Sequence, residues 1–171
     1  MQLESFIRTI PDYPKKGIQF KDITPLLNNR EAFQDAIEQF ANKLAPYHFE
    51  ALVGIESRGF IFGAALAFKM NKRFIPVRKR NKLPHDVFTM EYELEYGTDI
   101  LEIHKDALQT NDSVVIIDDL LATGGTVGAV EKLVKLAGGQ IAAVSFLIEL
   151  GFLKGREKIN CPAIISLIEV A

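Results

Sequence analysis

Residues 114–126 read VVIIDDLLATGGT: four β-branched residues, two adjacent aspartates, then a Thr-Gly-Gly-Thr turn. Two neighbouring carboxylates repel each other, and a hydrophobic core gains nothing from them at a strand end. Asp118 and Asp119 are acceptor-only groups when ionised, suited to two adjacent hydroxyls such as the 2′- and 3′-hydroxyls of a ribose. Gly124 and Gly125 expose backbone N–H groups with no side chain in the way, and Thr123 and Thr126 add hydroxyl donors. At the start of a helix, those donors and the positive end of the helix dipole suit a phosphate dianion. Taken alone, the glycine pair serves equally as a plain tight turn, with an aspartate capping a neighbour. That alternative leaves the doubled acid unexplained. Neither a Walker A lysine nor a G-x-G-x-x-G spacing is present, which weakens nucleoside triphosphate and dinucleotide readings.

The elements that must position these residues follow from hydrophobic periodicity. Continuous apolar runs at 50–56, 73–77, 113–118, 141–150 and 162–170 predict strands buried on both faces, as in a parallel sheet. Between them, 30–44, 60–70 and 126–139 carry the i, i+3, i+4 spacing of amphipathic helices, the last stopped by Gly138 and Gly139. The alternation predicts an α/β fold: a twisted, mostly parallel sheet flanked by helices on both faces. In such a sheet ligands bind beyond the carboxyl ends of the strands, where VVIID ends. Residues 1–29, with Pro11, Pro14, Gly17 and Pro25, predict an irregular flap or hood over a sheet edge. Residues 79–105 predict a flexible β-hairpin loop standing off the main sheet, long enough to be functional.

Bulk composition narrows the classes. At 171 residues the chain is expected to form one domain, 1–171, burying roughly 70% of its unfolded surface. It is 48% hydrophobic and 25% charged, ordinary for a soluble globular protein. A formal net charge of -2 gives no overall positive field, so no nucleic-acid partner is expected. The basic run at 73–82 then reads as a solvated rim unless its position says otherwise. No segment approaches the roughly 20 apolar residues of a membrane span, and no signal peptide is evident. A cytoplasmic protein is expected. The single cysteine, Cys161, excludes an internal disulfide and reads as a free thiol in a core strand; no Cys/His spacing suggests a structural metal. His48, His85 and His104 show no mutual spacing for a metal site or triad, and carry no role.

VVIIDDLLATGGT closely resembles the 5-phosphoribosyl-1-pyrophosphate (PRPP) signature of the type I phosphoribosyltransferases, in the LLATGGT form of the adenine-specific branch. The resemblance extends through DYPKKGIQFKDITPLL (12–27), GIESRGFIFG (54–63), RKRNKLP (78–84), YELEYGTDILEIHKDAL (92–108) and LKGREKI (153–159), in the family's order and over nearly the whole chain. It implies transfer of the 5-phosphoribosyl group from PRPP to N9 of adenine, giving AMP and pyrophosphate. Asp118, Asp119, Ala122, Thr123, Gly124, Gly125 and Thr126 would hold the ribose and its 5′-phosphate. Ser57, Arg58 and Gly59 match the family's pyrophosphate loop, where small residues let the backbone approach and Arg58 offers a two-pronged donor. Arg58 as a plain surface ion-pair partner is the bland alternative.

The resemblance also assigns Glu95, in L-E-Y-G, to adenine N7 as acid/base, with Tyr96 beside it in a closing loop. Glu91 and Glu93 read as an exposed acidic face. Arg58 and Glu95 are thus the expected catalytic pair. Lys79, Arg80 and Lys82 sit at the root of the loop within reach of pyrophosphate. Arg78 matches a residue that contacts the partner subunit's PRPP, implying a homodimer. Phe20 would stack on the purine, worth on the order of 1 kcal/mol beyond area burial. The Gln19 and Lys21 backbone would read the base edge. Phe20 as ordinary core packing is the alternative. Mg²⁺ is expected as cofactor, bound largely through PRPP and pyrophosphate oxygens, with no protein ligand assigned. One departure is visible: Asn81 stands where the family usually has glycine, which bears on loop mobility and leaves a positive-φ turn feasible. A PRPP- or purine-sensing module without catalysis is the competing class, but the chain has no spare length for a DNA-binding domain. An enzyme for 6-oxopurines or pyrimidines also remains open at this point.

Overall fold

A computed structural model of the protein describes residues 1–93 and 97–171. Its centre is a seven-stranded sheet in the spatial order β5-β6-β4-β3-β7-β8-β9. The strands are β3 (Ala51–Ile55), β4 (Arg73–Lys79), β5 (Val87–Glu93), β6 (Thr98–His104), β7 (Ser113–Leu121), β8 (Gln140–Leu150) and β9 (Ile164–Val170). Pairings from β4 through β9 are parallel, and those of β6 with β4 and β5 are antiparallel. This is the expected mostly parallel sheet. Helices α2 (Arg30–Leu44) and α3 (Gly59–Met70) cover one face and α4 (Gly125–Leu136) the other.

The two-sided burial follows from strand parity. On β7, Val115 and Ile117 point into the cluster under α2 and α3, while Val114 and Ile116 point into the cluster under α4. Asn29 starts α2 by accepting the Ala32 N–H through its side chain at 2.9 Å. Past Leu136, Gly138 takes a φ of 88°, and the Gly139 N–H reaches the Val134 carbonyl, ending α4 where the glycines predicted. Among the described residues no helix is long and apolar enough to cross a membrane.

Three expectations need correction. The N-terminal flap is more regular than its prolines suggested. β1 (Arg8–Pro11) and β2 (Gln19–Asp22) form an antiparallel ribbon, followed by the short helix α1 (Thr24–Asn28). The β5–β6 hairpin does not stand off. β6 continues the sheet by pairing Glu102 with Arg78 and Leu101 with Lys79, and Phe88, Met90 and Tyr92 of β5 pack on the cluster beneath α4. Burying that alternate apolar face explains why the hairpin lies down. Cys161 is buried as expected, but in the loop before β9 and not in a strand.

Phe62 is fully buried, its ring 6.0 Å from Phe33 and 5.9 Å from Phe40, and it joins α3 to α2. Phe62→Ala is expected to lower unfolding free energy by about 3–5 kcal/mol, read from denaturant melts.

Candidate active site

β3, β4 and β7 run parallel, so their carboxyl ends reach one edge of the sheet and deliver the loops that carry the chemistry. The loop after β3 turns through a cis Glu56–Ser57 peptide into α3, which places Arg58 beside the end of β7. Arg58 Nε lies 2.8 Å from Asp119 Oδ2. The same guanidinium donates from Nη1 to the Lys21 carbonyl at 3.3 Å and sits 5.1 Å above the Phe20 ring centroid. Tyr13 meets the Phe20 ring edge-on at 5.2 Å. Phe20 belongs to neither hydrophobic cluster, which argues against plain core packing. Flap, β3 loop and β7 therefore converge on one arginine.

Gly59 is small for a visible reason. A Cβ there would stand 2.9 Å from both Asp118 Oδ1 and the Ile117 carbonyl oxygen, so the α3 start presses directly on the aspartate pair. Burial pushes the Asp118 carboxyl well above its ordinary range, and the neighbouring Asp119 charge adds to the shift. Burial also raises Asp119, against the downward pull of Arg58. The Asp119 N–H donates to Asp118 Oδ1 at 2.9 Å, fixing the two carboxylates relative to each other.

The Thr123–Thr126 turn leads directly into α4. Gly124, at φ 82°, is the N-cap residue of α4, and no side chain caps that helix, so its first amides are not engaged by a capping side chain. A 70 Å³ cavity opens there, lined by Asp118, Ala122, Thr123, Gly124, Gly125 and Thr126, with Phe146 behind. Tyr92 lines a neighbouring cleft together with Gly124 and Gly125. Burial, with the Asp99 charge, raises the Tyr92 phenol.

Two cations at the root of the hairpin, Arg78 and Lys79, are engaged. Arg78 forks onto Glu56 at 3.2 and 3.1 Å and gives its remaining amine to the Lys82 carbonyl at 3.2 Å. Burial would raise the Glu56 carboxyl, but Arg78 and the Lys79 N–H hold it below the ordinary range. Lys79 Nζ pairs with Asp99 at 3.0 Å, which raises the lysine and lowers the aspartate. Arg80 and Lys82 are exposed. Asn81 adopts φ 63°, and its N–H donates to Glu102 at 3.0 Å, so asparagine does supply the positive-φ turn. Gln19 is exposed on the flap ribbon. Glu95 and Tyr96 lie outside the described residues. Tyr92 was overlooked in the sequence. Its signal was parity: it shares the inward face of β5 with Phe88 and Met90.

The sequence profile of the phosphoribosyl transferase domain matches residues 22–159. The chain belongs to this phosphoribosyl transferase domain family. A protein named adenine phosphoribosyltransferase from Thermosipho africanus is 54% identical over 168 residues, covering 98% of this chain and 99% of the relative. One of the same name from Halothermothrix orenii is 52% identical over 169 residues, covering 99% of each. Among solved structures, adenine phosphoribosyltransferase from Thermoanaerobacter pseudethanolicus superposes with a TM-score of 0.96 at 53% identity, covering 98% of both chains. The Saccharomyces cerevisiae enzyme, complexed with an imino-altritol bisphosphate and adenine, gives 0.93 at 39% identity and 96% coverage of both. The phosphoribosyltransferase fold thus extends beyond the matched segment to nearly the whole chain.

Because Asp118 titrates higher folded than unfolded, its contribution to stability is complete below the unfolded value and lost as pH rises through the folded one. Above the unfolded value, burying this carboxyl costs stability whether it is ionised or keeps its proton. Asp118→Asn should therefore melt above the parent at pH 7, with the gain vanishing below about pH 4. Thermal melts across that range check it.

Proposed function

We propose that this phosphoribosyltransferase is an adenine phosphoribosyltransferase, joining adenine to PRPP to give AMP and pyrophosphate. What carries the reading is the convergence on Arg58, where the pyrophosphate-type loop, the aspartate pair and the aromatic flap meet within one guanidinium's reach. The choice of adenine is supported by relatives of that name along the full length.

In the reaction the C1′–O bond to pyrophosphate breaks with its electron pair leaving on oxygen. The C1′–N9 bond forms, and the purine's proton must be relocated. Asp118 and Asp119 hold the ribose hydroxyls, and residues 122–126 receive the 5′-phosphate. Ser57, Arg58 and Gly59, with Lys79 and Lys82, receive the pyrophosphate. Phe20 stacks on the base, whose edge is read by the Gln19 and Lys21 backbone, and Glu95 takes the proton. Arg58 now occupies both the Phe20 face and the Lys21 carbonyl, so it must move toward the phosphates before that carbonyl can accept from adenine's amine. An acceptor at that point leaves a 6-oxo group facing an unpaired oxygen, a large penalty in a dry pocket.

The donor set fits a magnesium ion that arrives on the substrate. Among the described residues, Asp119, Glu56 and Asp99 are each already paired with a cation, and no cluster of three or more metal-type side chains stands together. Substrate oxygens and water would complete the shell. The ion would neutralise the departing pyrophosphate. A cytoplasmic homodimer, with Arg78 reaching the partner's PRPP, completes the proposal. It is supported by the exposed apolar face of α3, where Phe68 is 91% exposed and Ile61 38%.

Incubation with PRPP, Mg²⁺ and each nucleobase in turn should yield monophosphate from adenine alone among adenine, guanine, hypoxanthine and uracil. A product from a 6-oxopurine or from no base would overturn the assignment. Glu95→Gln should cut turnover roughly a hundredfold or more while adenine affinity changes little. Turnover at the parent rate would remove it as the acid/base.

A further inference from the structure

Arg156 and Glu149 take no part in the site as described, yet the Glu149 carboxylate is buried, 7% exposed, and ringed by donors. Arg156 donates from Nε to Glu149 Oε1 at 2.5 Å and from Nη2 to Oε2 at 2.6 Å. The Ser166 hydroxyl donates to the same carboxylate at 2.6 Å, and Arg156 Nη1 reaches the Ile164 carbonyl at 3.3 Å. Three elements are tied together: the end of β8, the middle of β9, and the segment 151–161 that carries Arg156. A second buried carboxylate holds that segment's far end. Glu131 of α4, only 1% exposed, accepts the Cys161 N–H at 2.8 Å and both the backbone and side-chain N–H of Asn160, at 3.1 and 3.0 Å.

Gly155 immediately precedes Arg156, the first of the two clamped points. A Cβ on Gly155 would overlap the Ala122 carbonyl oxygen, and a Cβ on Gly124 would overlap the Gly155 carbonyl oxygen. The two backbones are in direct contact. The segment is therefore a strap forming the outer wall of the 122–126 turn. Whatever moves Gly155 moves the amides proposed to receive the 5′-phosphate. A geometric error of about 1 Å in such a cradle is enough to lose on the order of a hundredfold.

We propose that Arg156, through its fork to Glu149, is a positioning residue for the 5′-phosphate turn, holding Gly155 against Ala122 and Gly124. The inference rests on the phosphate assignment of residues 122–126. The clamp acts at one end of the substrate only. The pyrophosphate loop at Ser57–Gly59 hangs from β3 and α3, and among the described residues no hydrogen bond or ion pair joins it to the strap. A loosened strap should thus weaken one anion and spare the other, whereas a generally weakened fold would harm both.

The test is direct binding by calorimetry of ribose 5-phosphate and of Mg²⁺-pyrophosphate to the full-length protein, without turnover. In Arg156→Met, ribose 5-phosphate affinity should fall about tenfold or more while pyrophosphate affinity stays within about twofold. Arg156→Lys, which keeps the charge but not the fork, should lie between. Removing one partner of a buried pair leaves an uncompensated charge and can unfold a protein, so Arg156→Met with Glu149→Met provides a neutral second variant. It should show the same selective loss. Unchanged ribose 5-phosphate binding, or equal loss of both ligands, overturns the proposal. A parent protein that binds ribose 5-phosphate but makes no AMP would sink the adenine assignment and leave the positioning role standing.

Discussion

The Asp118–Asp119 pair stands at the end of the central strand, where a parallel sheet offers little water. Two ionised carboxylates there repel each other through a medium that screens poorly, and burial alone already drives both toward the protonated state. The Arg58 guanidinium is the counterweight, brought in from the next loop along the same edge. Much of the local architecture is a consequence. The start of α3 must come close enough for Arg58 to reach, so Gly59 can carry no side chain. Its neighbour Glu56 is turned the other way, into the Arg78 fork, instead of adding a third acid to the pair.

The phosphate-type turn obeys a different constraint, one of shape. Uncapped amides at a helix N-terminus are mobile and solvated unless something holds the turn from outside. Here the wall is backbone against backbone: Gly155 on Ala122 and Gly124, with Glu149 holding the strap at Arg156 and Glu131 at its far end. Tyr92 of the hairpin lines a neighbouring cleft with Gly124 and Gly125. The 70 Å³ cavity beside them is lined by the turn itself, with Asp118 and Phe146.

These two constraints differ in how far they could be read from the chain. Strands and helices with continuous or 3.6-residue apolar patterns, such as 113–121 and 30–44, were legible because burial on one face or two leaves a periodic trace. The aspartate pair and the glycine turn were legible because their chemistry is local. The flap was not, since Pro11 and Pro14 masked a ribbon whose register comes from pairing across a long turn. Nor was the hairpin's placement: its alternation announced two strands, but only packing on α4 decides where they lie. The clamps at Glu131 and Glu149 were wholly invisible. A glutamate in a helix and another in a strand look like ordinary surface acids until partners 29, 30 and 7 residues away close on them.

Burial also sorts the ion pairs by what they can do. Lys79, with 55% of its side chain exposed, holds Asp99 in near-solvent surroundings, where such a pair is worth about 1 kcal/mol or less. It can trade that carboxylate for a phosphate at little cost. Glu149 is 7% exposed and Arg156 40%, so Arg156 is held not by burial but by its fork onto Glu149, shared with Ser166, and by the Ile164 carbonyl. The Arg58–Asp119 pair is asymmetric: the carboxylate is 7% exposed, the guanidinium 31%. The acid is fixed while the base has room to swing away from Phe20 and Lys21. When it does, hydrogen-bond donors must take its place beside the twin carboxylates, which a bare anion cannot supply without adding repulsion. A sugar that brings hydroxyl donors to the acids and phosphates to the arginine satisfies both partners at once. The exposed base and buried acid of this pair thus suit the proposed ligand, which carries both groups on one scaffold.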